Sequence, residues 1–244
     1  MDIKKLESNI IYEDNHLLIV NKEAGVLTQG DKTGDTTLID LYKAYIKEVY
    51  EKPGNVFLGL VHRLDRPVSG IVVLAKTSKG LERMNSLFRT KEVYKTYWAV
   101  VKRKPPKKTD KLVHWLIKDE SRNMTTAFDK KVPEGKRSEL QYKLLGKLND
   151  HYLLEVQPLT GRPHQIRVQL ASMGCPIRGD VKYGFTKPNP DGSINLHAKQ
   201  LRFEHPIKKT PMIVNAALPE NEFWEQFLTL DTKKIKTKDL DKLI

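Results

Sequence analysis

The spacing of apolar residues along the chain predicts a protein built mainly from short β-strands. Residues 71–75 form an unbroken apolar run rich in Ile and Val, which favours a buried strand. Residues 93–101 alternate between two faces, so that Val93, Tyr97 and Val101 share one side. Further strands are predicted at residues 10–13, 16–21, 112–117, 137–144, 152–157 and 196–203.

Apolar residues at three- and four-residue spacing predict four helices among these strands. The first covers residues 37–51, with Asp35 as its N-cap and Pro53-Gly54 as its end. Many strands and few helices indicate a mixed α+β fold around a largely antiparallel sheet. The other three helices begin near Ser78, Pro163 and Asn221.

Composition narrows the choice of partner. The 244 residues, 39% of them hydrophobic, suffice for the core of one or two domains. The formal charge of +13 points to a polyanion, above all nucleic acid, with a membrane surface as the weaker alternative. No apolar run approaches the ~20 residues of a membrane-spanning helix, and the first ten residues lack a signal-peptide core. We therefore expect a cytoplasmic protein, and its single cysteine, Cys175, excludes an internal disulfide.

One stretch joins several ionisable residues to the predicted buried strand. Residues 61–77 read VHRLDRPVSGIVVLAKT and contain His62, Arg63, Asp65 and Arg66. A loop at the end of a buried strand gives a reactive side chain a fixed position. Taken alone, Asp65 has a simpler interpretation, in which it pairs with a neighbouring arginine in a solvated turn.

A second informative stretch is TGRPHQIRVQLASMGCPIRGDVKYG at residues 160–184. It predicts a helix on which His164 and Arg167 share a face, although a lone helix arginine is usually a solvated charge. Nucleotide-binding loops of the GxxxxGK[ST] and GxGxxG types, an HExxH zinc motif and a serine nucleophile elbow are all missing from the sequence. The remaining candidate is a cofactor-free acid-base or nucleophilic site that acts on an anionic polymer.

Four motifs resemble, in order, those of the RluA-type pseudouridine synthases: HRLDRPVSG with IVVLAKT, KTYWAVV, TGRPHQIR followed by GCPIRGDVKYG, and LHAKQLRFEHP. The resemblance runs from about residue 11 to residue 227. It implies that family's fold, a largely antiparallel mixed sheet flanked by helices with a central active-site cleft. It also implies an isomerase that cuts a uridine of RNA from its ribose at N1 and rejoins it at C5, with RNA as partner and neither cofactor nor metal.

The resemblance also implies roles for individual residues. Asp65 corresponds to the family's catalytic aspartate, which either adds to C1′ or removes a ribose proton, and the sequence leaves both routes open. Tyr97 corresponds to the active-site tyrosine, which stacks on the base and is also a candidate to take the C5 proton, and Arg167 corresponds to the arginine that pairs with the aspartate. Arg63 corresponds to the residue that enters the RNA stack when the target base leaves. The remaining assignments are Arg66 and His62 in RNA binding and base flipping, and Leu196 in the active-site wall.

We expect an N-terminal extension at residues 1–9, a catalytic domain at residues 10–228 and a Lys-rich tail at residues 229–244. Because the sequence begins close to the predicted catalytic domain, we expect no separate S4-type domain of the kind many relatives carry, and we expect the basic surface of the catalytic domain itself to recognise ribosomal or transfer RNA. We expect a monomer. The alternatives are a non-catalytic RNA-binding or ribosome-assembly protein on the same scaffold, and a nuclease or glycosidase, for which the motifs supply no second carboxylate.

Overall fold

A computed structural model describes residues 2–30 and 33–231, so most of the predicted Lys-rich tail lies outside the described residues. The strands are β1 (Ile10–Glu13), β2 (Leu17–Lys22), β3 (Gly59–Leu60), β4 (Ser69–Ala75), β5 (Tyr94–Val101), β6 (Thr109–Asp119), β7 (Met124–Phe128), β8 (Lys136–Leu148), β9 (His151–Pro158), β10 (Leu196–Glu204) and β11 (Pro211–Asn215). The α-helices are α1 (Ile3–Ser8), α2 (Leu38–Val49), α3 (Ser78–Thr90), α4 (Gln165–Ser172) and α5 (Glu222–Asp231). None of the helices in the described ranges is long and apolar enough to cross a membrane.

In the part of the chain that the structure describes, eleven strands form one sheet in the order β1-β2-β4-β10-β5-β9-β8-β6-β7, with β3 beside β4 and β11 beside β10. Neighbouring strands are antiparallel except β4 and β10, which run parallel. The predicted α+β fold around a largely antiparallel sheet is therefore confirmed. Each predicted strand and helix is present, whereas α1, β3, β7 and β11 were not predicted.

The parallel contact between β4 and β10 is short and depends on a glycine. Ser69 and Gly70 pair with His197 and Ala198, and beyond them β4 pairs with β3 and β10 with β11. Gly70 has a φ of +113°, and a Cβ there would lie 2.4 Å from the Ala198 carbonyl oxygen. Only glycine accepts both this backbone angle and this approach. The Ser69 hydroxyl and His197 Nδ1, 2.9 Å apart, join the same two strands.

Helices cover both faces of the sheet. In β4, Val72 and Leu74 face a core cluster covered by α2 and α4, whereas Ile71 and Val73 alternate onto the cluster under α3. A third cluster lies under α5, whose Trp224 and Phe227 pack with residues of β5 and β9. The face under α2 and α4 also carries the Tyr97 side of β5. The candidate site residues Asp65, Tyr97, Arg167 and Leu196 lie around this face.

The start of α2 differs from the prediction. Asp35 does not cap it, because Thr37 is the N-cap. The Thr37 hydroxyl accepts the Asp40 amide at 3.2 Å and the Asp40 carboxylate accepts the Thr37 amide at 3.1 Å, which is a capping box. Asp35 instead forms an ion pair of 2.8 Å with Arg66. Helix α1 lies within the predicted N-terminal extension and is held against α2 by the Tyr42 hydroxyl, which donates to the Leu6 carbonyl at 3.0 Å.

Candidate active site

Asp65 lies in the loop between β3 and β4, and this loop is tied to the loop that follows β2. The Arg66 guanidinium donates from Nε to the Gly25 carbonyl at 3.0 Å, and the Gly25 amide donates to the Arg66 carbonyl at 2.8 Å. Lys22 is 1% exposed, and its ammonium group crosses from one loop to the other. It donates to the carbonyl oxygens of Glu23, Val26 and Arg66 at 2.9, 2.9 and 3.3 Å. These bonds fix the backbone that presents Asp65.

Arg167 connects Asp65 to a second carboxylate. Its Nη1 donates to Asp65 Oδ2 at 2.9 Å, while Nε and Nη2 donate to the two oxygens of Asp180 at 2.7 and 2.9 Å. Arg167 is 5% exposed and Asp180 1% exposed, so Arg167 is not a solvated helix charge. Burial opposes the charged guanidinium, but the hydrogen bonds and charges of Asp180 and Asp65 outweigh it and raise the pKa of Arg167.

The two carboxylate oxygens of Asp65 have different surroundings. Oδ2 accepts the hydrogen bond from Arg167, and His164 Nε2 lies 3.8 Å from it. Oδ1 has no hydrogen-bond partner among the described residues, and the side chain as a whole is 29% exposed. Because Asp180 binds Nε and Nη2 of Arg167 in a bidentate pair, Nη1 remains to donate to Asp65. The arrangement holds one oxygen of the aspartate and leaves the other open to a substrate.

Tyr97 and Leu196 lie on neighbouring strands at this site. Leu196 pairs with Ala99 and the next inward residue of β10, Ala198, pairs with Tyr97. Leu196 is buried, and Tyr97 is half-buried against the same core cluster. Burial first, and then the charge of Asp65, raise the pKa of Tyr97, so the phenol stays protonated at neutral pH. The structure thus brings the predicted residues Asp65, Arg167, Tyr97 and Leu196 to one region.

The three other predicted site residues have distinct positions. Arg63 is exposed and has no side-chain partner within the described ranges. Arg66 is also exposed, but its guanidinium is engaged with Gly25 and Asp35. His62 turns toward the sheet: its ring stacks on Phe88 at 4.9 Å, and its Nε2 accepts the Val73 amide at 3.2 Å. Burial and then the charge of Lys95 lower the pKa of His62 to about 3.

Sequence reasoning missed Asp180, Tyr183, Lys22 and the orientation of His164. Asp180 precedes a single 3-10 turn, Val181–Tyr183, and Tyr183 ends it; this turn packs against α4. The Tyr183 ring lies 5.0 Å from the Arg167 guanidinium carbon, and its hydroxyl is 2.7 Å from His164 Nδ1. The motif GDVKYG was visible in the sequence, but its spacing predicts only turns.

Positive charge surrounds the site. Burial, and then the charges of Arg167, Lys182 and Lys118, lower the pKa of His164 to about 4 against the opposite influence of Asp65. Arg63 and Lys182 are exposed, and the Lys182 ammonium also donates to the Asn123 carbonyl at 3.2 Å. Across residues 2–30 and 33–231, no group of three or more His, Cys, Asp or Glu side chains could hold a metal ion.

An aspartate with one open oxygen, oriented by a buried arginine and flanked by exposed cations, is an arrangement suited to chemistry on a polyanion. The chain belongs to the RNA pseudouridylate synthases, because the sequence model of that family matches residues 16–172. The resemblance to the RluA-type members is confirmed. The chain is accordingly an RNA pseudouridine synthase, an isomerase that converts uridine in RNA to pseudouridine.

Relatives and solved structures agree with this membership. A protein of Vibrio vulnificus (strain CMCP6) named ribosomal large subunit pseudouridine synthase C is 36% identical over 225 residues, which cover 89% of this chain and 68% of the relative. A protein of the same name from Rickettsia typhi (strain ATCC VR-144 / Wilmington) is 33% identical over 218 residues, 88% of this chain and 70% of the relative. The structure of human RNA pseudouridylate synthase domain containing 4 superposes with a TM-score of 0.76 at 25% identity and covers 94% of this chain and 95% of its own.

Proposed function

We propose that the protein isomerises uridine in the RNA of the large ribosomal subunit and that Asp65 is the group that reacts with the ribose. The ribosomal substrate is supported by the names of the curated relatives, whose matched regions cover 89% and 93% of this chain. The formal charge of +13 fits any RNA, so transfer RNA is the competing substrate.

The hydrogen bond of 2.9 Å from Arg167 Nη1 to Asp65 Oδ2 carries the assignment of Asp65. In the reaction the N1–C1′ bond breaks, the C5–C1′ bond forms, C5 loses its proton and N1 takes one up. Asp65 Oδ1 either adds to C1′ and displaces uracil, or removes a ribose proton to give a glycal. Both routes use a charged oxygen held in a fixed direction, which a carboxylate anchored through its other oxygen provides.

Tyr97 and Leu196 form the surface against which the uracil turns. A phenol that is protonated at neutral pH is a weak proton acceptor, so the Tyr97 ring acts mainly by stacking on the base. Leu196, buried on the adjacent strand, closes the site on that side and keeps it apolar. An apolar wall opposite a fixed carboxylate allows the detached base to rotate without losing hydrogen bonds to the protein.

Arg63 is the residue best placed to replace an extruded base. It is exposed, lies two positions before Asp65 and has no side-chain partner among the residues that the structure describes. Extrusion of a uridine from a stem costs a few kcal/mol, and a planar guanidinium recovers part of that by stacking in the gap. Arg66 supports the loop through Gly25 and Asp35. His62 also supports this loop, because its imidazole stacks on Phe88 and accepts the Val73 amide.

The test is to map pseudouridines in total RNA from cells that lack the gene. We expect a pseudouridine of large-subunit ribosomal RNA to disappear and to return with the wild-type gene but not with Asp65→Ala. The matched control is Asp110→Ala, which removes a partly exposed aspartate paired with Lys107 and should restore the modification. A loss confined to transfer RNA contradicts the ribosomal substrate. Full restoration by Asp65→Ala contradicts the role of Asp65.

A further inference from the structure

His164 adopts a backbone conformation that is uncommon for a residue with a side chain. It precedes α4 with a φ of +53°, in the left-handed region, and its side chain makes no capping hydrogen bond. Gln165 holds this segment: its side-chain oxygen accepts the Arg162 amide at 3.0 Å and the Thr160 hydroxyl at 2.7 Å, and its amide donates to the Glu139 carbonyl at 3.0 Å. Such strained residues persist where the surroundings enforce them, and they concentrate at functional sites.

Hydrogen bonds on one side of the His164 ring favour one nitrogen as the site of the proton. The Tyr183 hydroxyl oxygen accepts the Thr125 amide at 2.9 Å, so its own hydrogen needs another acceptor. His164 Nδ1 lies 2.7 Å away, whereas the Thr125 hydroxyl donates to the Pro163 carbonyl at 3.1 Å. A hydrogen bond from the Tyr183 hydroxyl to Nδ1 satisfies both groups and places the imidazole proton on Nε2.

The opposite side of the ring leads to the same tautomer. His164 Nε2 faces Asp65 Oδ2 at 3.8 Å, and this is the oxygen that also accepts Arg167 Nη1. A lone pair on Nε2 would be repelled by the carboxylate, whereas an N–H is attracted to it. Burial and the cations Arg167, Lys182 and Lys118 hold the pKa of His164 near 4, so the ring is neutral when Asp65 is at work.

On the basis of the proposed function, we infer that His164 is a positioning residue for Asp65, a neutral donor whose Nε2–H is directed at the carboxylate by Tyr183 and the Thr125 amide. With Arg167 it approaches Oδ2 from a second direction, which leaves Oδ1 as the oxygen that meets the ribose. The distance of 3.8 Å is longer than a hydrogen bond, so in the free protein the contact is electrostatic, and the inference requires it to shorten when RNA is bound.

The first measurement reads the tautomer of His164 without any catalysis. Protein labelled with ¹⁵N-histidine gives long-range ¹H–¹⁵N spectra in which the two neutral tautomers differ, and the His164 signals are those that vanish in His164→Gln. We expect the Nε2–H form in the wild type at neutral pH and a mixture of tautomers in Tyr183→Phe, which keeps the ring beside Arg167. An Nδ1–H form in the wild type overturns the inference.

The second measurement separates kcat from KM on a uridine-containing RNA. Tyr183→Phe and His164→Leu should lower kcat by roughly 3- to 10-fold with KM unchanged, because a weak contact to the reacting carboxylate is lost. His164→Gln, whose amide keeps a donor at a similar reach, should recover most of the rate. Tyr152→Phe removes a tyrosine hydroxyl away from Asp65 and should leave kcat unchanged.

The outcomes distinguish this inference from the proposed function. Wild-type kcat in both Tyr183→Phe and His164→Leu overturns the positioning role while the enzyme itself remains active. A wild-type protein that isomerises no RNA uridine refutes the proposed function, and the positioning role with it. A fall in kcat that His164→Gln reverses, together with the Nε2–H tautomer, supports the inference.

Discussion

Substitution of Asp180 by asparagine tests the electrostatic arrangement around Arg167. In the native protein the guanidinium gives two N–H groups to Asp180, at 2.7 and 2.9 Å, and one to Asp65. Asparagine keeps the shape and one acceptor oxygen, but it removes the charge and one of the two hydrogen bonds. Arg167 then has Asp65 as its remaining carboxylate partner among the described residues. We expect it to turn toward Asp65 and to engage both carboxylate oxygens.

The expected losses follow from burial. Removal of one partner from a buried ion pair costs about 3–5 kcal/mol when the remaining charge is left alone. Because Arg167 keeps Asp65 and one asparagine acceptor, we expect about 2–3 kcal/mol, or a fall in Tm of about 4–12 °C for a domain of this size. Because Arg167 would then also bind Oδ1, the oxygen proposed to react, the isomerisation rate should fall on the order of 100-fold. RNA affinity should be unchanged, because Asp180 is 1% exposed.

The assay combines thermal denaturation, single-turnover tritium release from RNA that carries tritium at C5 of uridine, and RNA binding. Asp110→Asn makes the same chemical change at a partly exposed ion pair with Lys107 and serves as the control, which should match the wild type in all three measurements. Native Tm and native rate in Asp180→Asn would refute the reasoning about Arg167. A lower Tm with a native rate would leave Asp180 a stabilising role alone.

Three other substitutions test separate parts of the structure. Burial lowers the pKa of Lys22 from 10.5 to about 7, so the unfolded chain binds more protons above pH 7 and stability rises with pH up to 10.5. In Lys22→Met this pH-dependent rise in the free energy of unfolding, up to about 4 kcal/mol between pH 7 and 10, should be absent when stability is measured by chemical denaturation. An equal pH dependence of stability in the wild type and in Lys22→Met contradicts the lowered pKa of Lys22. Gly70→Ala should lower Tm by more than Gly54→Ala. Both glycines have a positive φ, but a Cβ at position 70 would meet the Ala198 backbone, whereas position 54 has open space. Equal falls in Tm contradict the argument that β10 approaches Gly70 closely. Arg63→Ala should leave Tm unchanged and slow isomerisation of a base-paired uridine roughly tenfold more than that of a single-stranded one, whereas equal slowing of both RNAs argues against base replacement.

The sequence predicted correctly the strands and helices whose own pattern of apolar residues shows which side is buried. The Ile-Val-Val run of β4 is buried on both faces as expected. Strands β7 (Met124–Phe128) and β11 (Pro211–Asn215) were missed, because each is a short strand that depends on one neighbour, β6 and β10 respectively. Helix α4 was predicted as amphipathic, yet Gln165, Arg167 and Gln169 are buried with its apolar residues. Tertiary contacts from β6, β7 and the turn at Val181–Tyr183 cover the face that its polarity assigned to solvent.

The candidate site required more than local pattern. Asp65 and Arg167 are 102 positions apart, and their proximity followed from the family resemblance alone. Asp180 and Tyr183 lie in a turn whose return onto α4 has no signature of spacing. His62 shows the opposite limit. It stands in the same motif and the same loop as Asp65, but its ring packs on Phe88 of α3 and its Nε2 accepts the Val73 amide, contacts that the motif alone does not reveal.

The most direct test of the account is the single-turnover rate of tritium release with Asp65→Asn, measured beside its affinity for the same RNA. The substitution preserves the shape of the side chain and removes the charge that both chemical routes need. We predict release at the background rate with RNA affinity within about threefold of the wild type, since one neutralised carboxylate changes little of a charge of +13. Release within about tenfold of the wild-type rate would contradict the assignment of Asp65 as the reacting group.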